Sequence, residues 1–348
     1  MMKSKIKIKI LFLGLISCLC ISCTSVYLRV PNAPFFADPN YNGSTDPEII
    51  YNPVTKEFLV YYTSRRPLSG NSFVSTPIGV ISSKNLLDWT FKGYCSFDGN
   101  GGDKDSPMTF WAPGMIVVGD SCHMYVTRKE DSTPPWGGPS KVVHYVAPLT
   151  DMINGWRFVD VAINEPNAID ACLFKNSKGS ITMIYRNCLT GEPRCGTFWA
   201  TSTDLKNWEK HGLVHGDVEN VDKHGFHYQE GPNVIFWKDY YWLITDPHCG
   251  LPVYRSKDGI DWNYQGLILD KPGNRLYDGT YGRHASMIVT SDDRAFIVYH
   301  VEPLRNYVEY DDTRLSIVEQ LCFLQIAELK IVDGKLICER DALIHLRE

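Results

Sequence analysis

Short runs of apolar, aromatic and β-branched residues recur along the chain: Phe58–Thr63, His123–Thr127, Ile181–Tyr185, Tyr240–Thr245 and Ala295–His300. Each follows a polar turn (Asn52–Lys56, Val118–Ser121, Lys175–Gly179, Lys238-Asp239 and Thr290–Arg294), and before each turn lies another short apolar run. This texture predicts strand–turn–strand units. Between units no apolar face repeats at helical spacing for a useful length. A second pattern marks the unit ends: Ser-Lys-Asn-Leu-Leu-Asp-Trp89, Ser-Thr-Asp-Leu-Lys-Asn-Trp208 and Ser-Lys-Asp-Gly-Ile-Asp-Trp262, with a looser copy at Trp156. The tryptophans lie 67, 52 and 54 residues apart, so one structural unit recurs through the chain.

A sheet of four strands cannot bury both of its faces alone. Repeated radially, such sheets pack face on face and leave only short edges, so the predicted fold is all-β, a five-bladed β-propeller. A sandwich or solenoid suits units of this length poorly. Leu315–Ile337 is expected to supply the last outer strands, and residues near Val26–Phe36 to close the ring. The Trp motifs read as blade-packing turns without chemistry.

Composition narrows the function classes. Apolar residues are 44% and charged residues 22%, which excludes a disordered or collagen-like chain. A net charge of −5 gives no basic footprint, so nucleic acid is not an expected partner. Residues 3–9, Lys-Ser-Lys-Ile-Lys-Ile-Lys, followed by an apolar stretch to Ile21, read as an export signal. Leu15-Ile16-Ser17-Cys18 and Cys20-Ile21-Ser22-Cys23 both resemble a lipoprotein box, and Cys23 leaves the longer apolar stretch. The expected division is therefore residues 1–23 as leader and 24–348 as one catalytic domain. The protein would sit in the periplasm or on the outer membrane and touch the membrane only through its lipid. Cys188 and Cys195 flank a Gly-Glu-Pro-Arg turn and are candidates for a bridge.

Aligned by their first apolar pair, the inner strands begin Asp46-Pro-Glu-Ile-Ile, Ala112-Pro-Gly-Met-Ile, Asp170-Ala-Cys-Leu-Phe, Glu230-Gly-Pro-Asn-Val-Ile and His284-Ala-Ser-Met-Ile. In a propeller these starts converge on one mouth of the central channel, so three carboxylates and a histidine would meet there. Crowded like charges drive one carboxyl to hold its proton while another stays ionised. Glycoside hydrolysis requires that pairing: a protonated acid for the leaving oxygen and an ionised base for water.

These residues resemble glycoside hydrolase family 43 and its relatives. Thr-Asp46-Pro-Glu-Ile-Ile, Ala-Ile-Asp170-Ala-Cys-Leu-Phe and Gln-Glu230-Gly-Pro-Asn-Val-Ile are similar to its three signature blocks, and Phe110-Trp111-Ala112-Pro113 and Arg283-His284-Ala285-Ser286 to two more. The resemblance implies a five-bladed propeller and inverting hydrolysis, typically of arabinofuranosides or xylosides. It implies Asp46 as general base, Glu230 as general acid and Asp170 as the group that holds and tunes the acid. His284 matches a channel histidine near a calcium, bound directly or through water, so a structural calcium is a candidate, though no cofactor is required. Two departures stand out: Thr45 where an arginine usually precedes the aspartate, and Gly114 where an acidic residue often follows Trp-Ala-Pro. Related propeller enzymes acting on anhydrogalactose use a histidine acid, which leaves a larger part open to His284 or His248.

The second strands end in Ser64-Arg65-Arg66, Arg128-Lys129, Arg186-Asn187, Asp246-Pro-His248 and His300. Arg66, Arg128, Arg186, His248, Arg283 and His284 are the polar candidates for substrate contact. Guanidinium groups match carboxylate or sulfate, so an acidic sugar, or a sugar flanked by one, is one reading. The other is that the arginines neutralise the three carboxylates. Trp111, Trp136, Trp199, Trp242 and Tyr281 are candidate stacking surfaces; Trp111 and Tyr281 neighbour inner-strand starts, whereas Trp242 suits the core. The leading functional reading is an exo-acting glycosidase on oligosaccharide or polysaccharide. The alternative is a carbohydrate-binding propeller without turnover. A retaining fructan-type enzyme is disfavoured because its Asn-Asp-Pro-Asn-Gly signature is absent.

Overall fold

A computed structural model describes residues 26–29, 32–70, 72–105, 108–188, 195–218, 225–226, 229–307 and 315–347. The leader with its candidate cysteines Cys18 and Cys23 lies outside the described residues. Among those described, no helix is long and apolar enough to cross a membrane.

Among the described residues the chain forms five blade sheets, each with four consecutive antiparallel strands, and two further two-stranded sheets. Blade one comprises Ser44–Asn52, Glu57–Ser64, Ile78–Ser83 and Thr90–Tyr94; blade two Phe110–Val118, Ser121–Lys129, Ser140–Pro148 and Arg157–Ile163. Blade three comprises Ile169–Lys175, Ile181–Asn187, Gly196–Ser202 and Glu209–Leu213; blade four Glu230–Trp237, Tyr240–Asp246, Leu251–Ser256 and Asp261–Ile268. Blade five comprises Arg283–Val289, Ala295–Val301, Phe323–Val332 and Lys335–Cys338. Each first strand touches the first strands of both neighbouring blades, with blade five against blade one, so the sheets form a closed ring. The propeller expected from the repeats is the observed fold. Its outer strands in blade five begin at Phe323, later than the expected Leu315, because Val318–Gln320 forms a 3-10 turn. Blade four carries a fifth, two-residue strand, His215–Gly216, which runs parallel to Asp261-Trp262. The seam between blades five and one is reinforced where Val26–Arg29 pairs with Ile344–Arg347 and where Phe36 bridges Leu324.

The Trp motifs explain how blades pack. Asn85, Asp204 and Asp258 each accept two backbone N–H bonds from residues two and three further on, closing tight turns. Trp89 packs on Phe35, and the other three motif indoles face the preceding blade. Trp156 meets Tyr61 edge-on, Trp208 meets Tyr125, and Trp262 meets Phe174. Trp156 and Trp262 are fully buried. Large apolar surfaces wedged between sheets are the main stabilisation available to a propeller.

Every first strand opens with a register shift next to its second strand, a β-bulge. In four blades the bulged residue has a left-handed backbone: Asp46 at φ 49°, Ala112 at 42°, Asp170 at 58° and Gly231 at 55°. Three of these are not glycine, so the backbone is strained where the chains converge. Bonds between blades hold the strain. Thr63 Oγ1 accepts the Ala112 N–H, Thr127 Oγ1 accepts that of Asp170, Asp246 Oδ2 that of His284, and His300 Nδ1 that of Asp46, at 2.9–3.3 Å. These four acceptors occupy one equivalent position on successive second strands. Blade three has Arg186 there, a side chain with donors only. The Gly231 N–H accordingly goes to Asp170 Oδ2, at 3.2 Å.

Candidate active site

The bulges place a ring of side chains at one mouth of the channel. Equivalent positions are Asp46, Ala112, Asp170, Gly231 and His284. Glu230 stands one residue earlier, level with Thr45, Trp111, Ile169 and Arg283. Reading all five strand starts as one register set Glu230 level with Asp46 and Asp170; in the structure it stands one step nearer the opening, in keeping with the extra residue before Val234-Ile235. Two residues further in, Glu48 accepts bonds from Ser286 Oγ at 2.7 Å, Asn233 Nδ2 at 3.1 Å and the Met115 N–H at 3.2 Å. This buried layer fills the axis beneath the site. Burial outweighs those bonds and pushes the Glu48 carboxyl up to about 7.

Above this layer is a cavity of about 720 Å³, lined by Asp46, Asp170 and Glu230 together. Trp111, Arg186, His248, Arg283 and His284 also line it. His284 occupies the centre, its Nδ1 3.4 Å from Asp46 Oδ1 and 4.0 Å from Asp170 Oδ2. Burial disfavours the imidazolium, but Asp46, Asp170, Glu230 and Asp246 prevail and raise its pKa.

The three carboxyls differ in protonation. Burial pushes Asp46 up, but Arg65, His284 and His300 together hold it below the usual carboxylate range. Asp170 rises to about 7, through burial first and then Glu230 and Asp46, with His284 opposing. Glu230 is held low: burial is overcome by His248, whose Nε2 lies 2.8 Å from its Oε1, and by Arg186 and Arg283. Burial thus favours the protonated form of Asp170, while the cations around Glu230 favour its carboxylate.

Arg66, Arg128 and Tyr281 stand elsewhere. Arg66 is buried against the Tyr41 ring, Arg128 lies over the Phe158 ring, and Tyr281 meets Tyr307 edge-on. The reason is strand alternation. Thr63, Thr127 and Asp246 point at the neighbouring bulge, so the residues two further on, Arg65, Lys129 and His248, face the cavity. Arg66 and Arg128 are out of phase. Among the other aromatics, Trp136 lines the cavity with 37% exposure, Trp199 packs on His211, and Trp242 is in the core.

The sequence reading missed a second layer. Glu302, fully buried, accepts from Arg65 and Arg283 at 2.9 Å each, Arg305 at 2.7 Å and the Tyr307 hydroxyl at 2.8 Å. Asp246 accepts from Arg283 Nε at 2.7 Å. Only its place two residues after His300 signals Glu302. Both departures from the family pattern now have an account. Arg65 Nη2, 3.8 Å from Asp46, supplies the charge that Thr45 lacks. At Gly114 an added Cβ would lie 1.7 Å from the Ala171 carbonyl oxygen, so no side chain fits.

Cys188 and Cys195 form the anticipated disulfide, and both line the cavity. Calcium takes six to eight oxygens, and water can complete a set that the protein begins. His284 Nδ1 faces Asp46 and Asp170, and Glu230, Asp246 and His248 place three ligand atoms within 4.8 Å of one another, with Arg283 Nε also donating to Asp246.

The fold matches solved glycosidases. A thermostable family-43 glycoside hydrolase is 19% identical with a TM-score of 0.63, covering 90% of this chain and 99% of that one. A xylan beta-1,4-xylosidase from Bacillus halodurans C-125 is 14% identical with a TM-score of 0.60, covering 88% of this chain and 57% of that one. A beta-xylosidase/alpha-arabinofuranosidase from a compost microbial metagenome, solved with xylotriose in a calcium-free form, is 14% identical with a TM-score of 0.62, covering 88% and 96%. Among curated proteins none matches. The family model for glycosyl hydrolases family 43 matches residues 38–320, and with its propeller and its carboxylate-lined mouth the chain belongs to that family.

Proposed function

We propose that the protein is an exo-acting, inverting glycosidase that removes terminal arabinofuranoside- or xyloside-like sugars, including sugars linked to acidic glycans. The observation that carries this reading is one cavity lined by Asp46, Asp170 and Glu230 together, in surroundings that push Asp46 below and Asp170 above the usual carboxylate range. In the reaction Asp46 takes a proton from water as the water oxygen bonds to the anomeric carbon. The glycosidic bond breaks on the opposite face, and its oxygen leaves with a proton delivered by Glu230 from the shared Asp170–Glu230 store. Atoms and charge balance with water as the sole co-reactant, so no cofactor enters. The plug formed by Glu48, Asn233 and Ser286 closes the cavity from below and supports action at a chain end. The neighbour solved with xylotriose supports a pentose substrate. We also propose export and lipid anchoring, on the basic and apolar leader.

The test is Asp46→Asn assayed on a polysaccharide panel, with NMR of the first-formed anomer for the unaltered enzyme. Turnover should fall by ~10²–10⁴-fold while sugar affinity persists, and the product should have the inverted configuration. A chain with no turnover before substitution would be the carbohydrate-binding propeller instead.

A further inference from the structure

Arg65, Lys129, Arg186, Arg283 and Arg305 line the cavity, and the Arg186 charge acts on Glu230. Arg65, Arg283 and Arg305 all donate to Glu302, and Arg283 also to Asp246. That side is neutralised from within. Lys129 is different. It is half-buried at the end of the second strand of blade two, with Nζ 4.7 Å from the centre of the Trp111 ring. Among the described residues no carboxylate lies within ion-pair distance of it. The charges acting on it are those of Asp131 and Arg186, not of the three central carboxylates. The indole beneath is fixed, since Trp111 Nε1 donates to the Phe73 carbonyl at 2.7 Å. Trp136 stands edge-on to Trp111 at 6.4 Å and against Phe73 at 4.6 Å. The wall thus presents two aromatic surfaces for sugar rings and one ammonium between protein and solvent.

A half-buried ammonium with no carboxylate at ion-pair distance among the described residues loses hydration that an aromatic face and the more distant Asp131 replace only in part. A neutral sugar does not restore it; an anionic substituent does. The same anion placed by Asp46, Asp170 and Glu230 would be repelled, so it must reach the Lys129 side while the scissile bond lies by the carboxylates. We infer that the substrate carries an anionic group, a uronate carboxylate or a sulfate ester, that pairs with Lys129 beside Trp111. This rests on the glycosidase reading and specifies its substrate class.

The test uses xylotriose, xylotriose bearing one uronic acid branch, and xylotriose bearing one sulfate ester. The unaltered enzyme should prefer one charged trimer over the neutral one, and which it prefers identifies the anion. In Lys129→Met the charged-to-neutral ratio of kcat/KM should fall at least ~10-fold, mainly through KM, and Lys129→Arg should restore most of it. No preference in the unaltered enzyme, or an unchanged ratio in Lys129→Met, overturns the inference and leaves the glycosidase reading intact. Should no trimer be cleaved, calorimetric binding of the same three trimers decides it: charged trimers must bind more tightly, and that advantage must vanish in Lys129→Met.

Discussion

Asp170 is fully buried, has a carboxylate neighbour on each side, and accepts the Gly231 N–H. In the proposed reaction the proton that Asp170 holds is the one passed on to the leaving group, and it is lost as pH rises through about 7. The free-enzyme profile, kcat/KM against pH, should therefore fall on its alkaline side near that value. On the acid side it should stay flat well below pH 5 in ~0.1 M buffer, because Asp46 remains ionised beside Arg65 and His284. Asp170→Asn removes the proton store. The alkaline limb then reports Glu230 alone, which His248, Arg186 and Arg283 hold low, so the limb should shift to lower pH and activity at neutral pH should drop. An alkaline limb unmoved by Asp170→Asn would show that another group carries the proton.

The inner strand with its opening bulge is the element that makes the site. Gly231 shows how tight it is: a Cβ there would lie 2.7 Å from His284 Cγ and 2.8 Å from its Nδ1, at a φ of 55° that side chains rarely adopt. Gly231→Ala should push the imidazole off Asp46 and Asp170. We expect a stability loss of ~1–3 kcal/mol but a far larger loss of turnover, read by parallel melting and rate measurements; full activity would mean that His284 does not organise the carboxylates. The bulge also marks where the sequence stopped being legible. Strand runs, turns and Trp motifs announced five blades because burial and period-two alternation leave direct traces in residue order. Asp46, Asp170, Glu230, Arg283 and His284 converge at one mouth because they start inner strands. Glu230 precedes its apolar pair Val234-Ile235 by four residues where Asp46 and Asp170 precede theirs by three, which is why it sits a step higher. Beyond the second strands the choice between Arg65 and Arg66, or Arg128 and Lys129, turns on phase. That phase was readable only by setting Thr63, Thr127 and His300 in one column as bonding partners of the next blade. The match of Gly114 to a missing acid was misleading, since backbone from blade three occupies its side-chain space.

At the scale of the whole ring, closure depends on the seam between blades five and one. Backbone pairing of Val26–Arg29 with Ile344–Arg347 lies at its periphery, and Glu302 lies at its heart. Glu302 follows the second strand of blade five, and its carboxylate gathers Arg65 from the end of blade one, Arg283 from the first strand of blade five, and Arg305 from the loop beyond. Two buried guanidinium groups and the partly buried Arg65 around one carboxylate are stable only while that charge is present, and it is held far below the usual range chiefly by those same arginines acting against burial. Glu302→Gln keeps the shape and removes the charge, which leaves buried cations unpaired and should cost about 3–5 kcal/mol of stability. Blade packing elsewhere does not depend on this group, so the loss should be specific to the cluster. Arg305→Met in the Glu302→Gln background removes one of the stranded cations and should recover part of the loss, although Arg305→Met alone should destabilise. A double-mutant cycle in urea reads that coupling; strictly additive effects would show that the four side chains are neighbours without being a unit. The same cluster fixes Arg65 beside Asp46 and Arg283 beside Glu230, so the seam that closes the propeller also sets the charges on both working carboxylates.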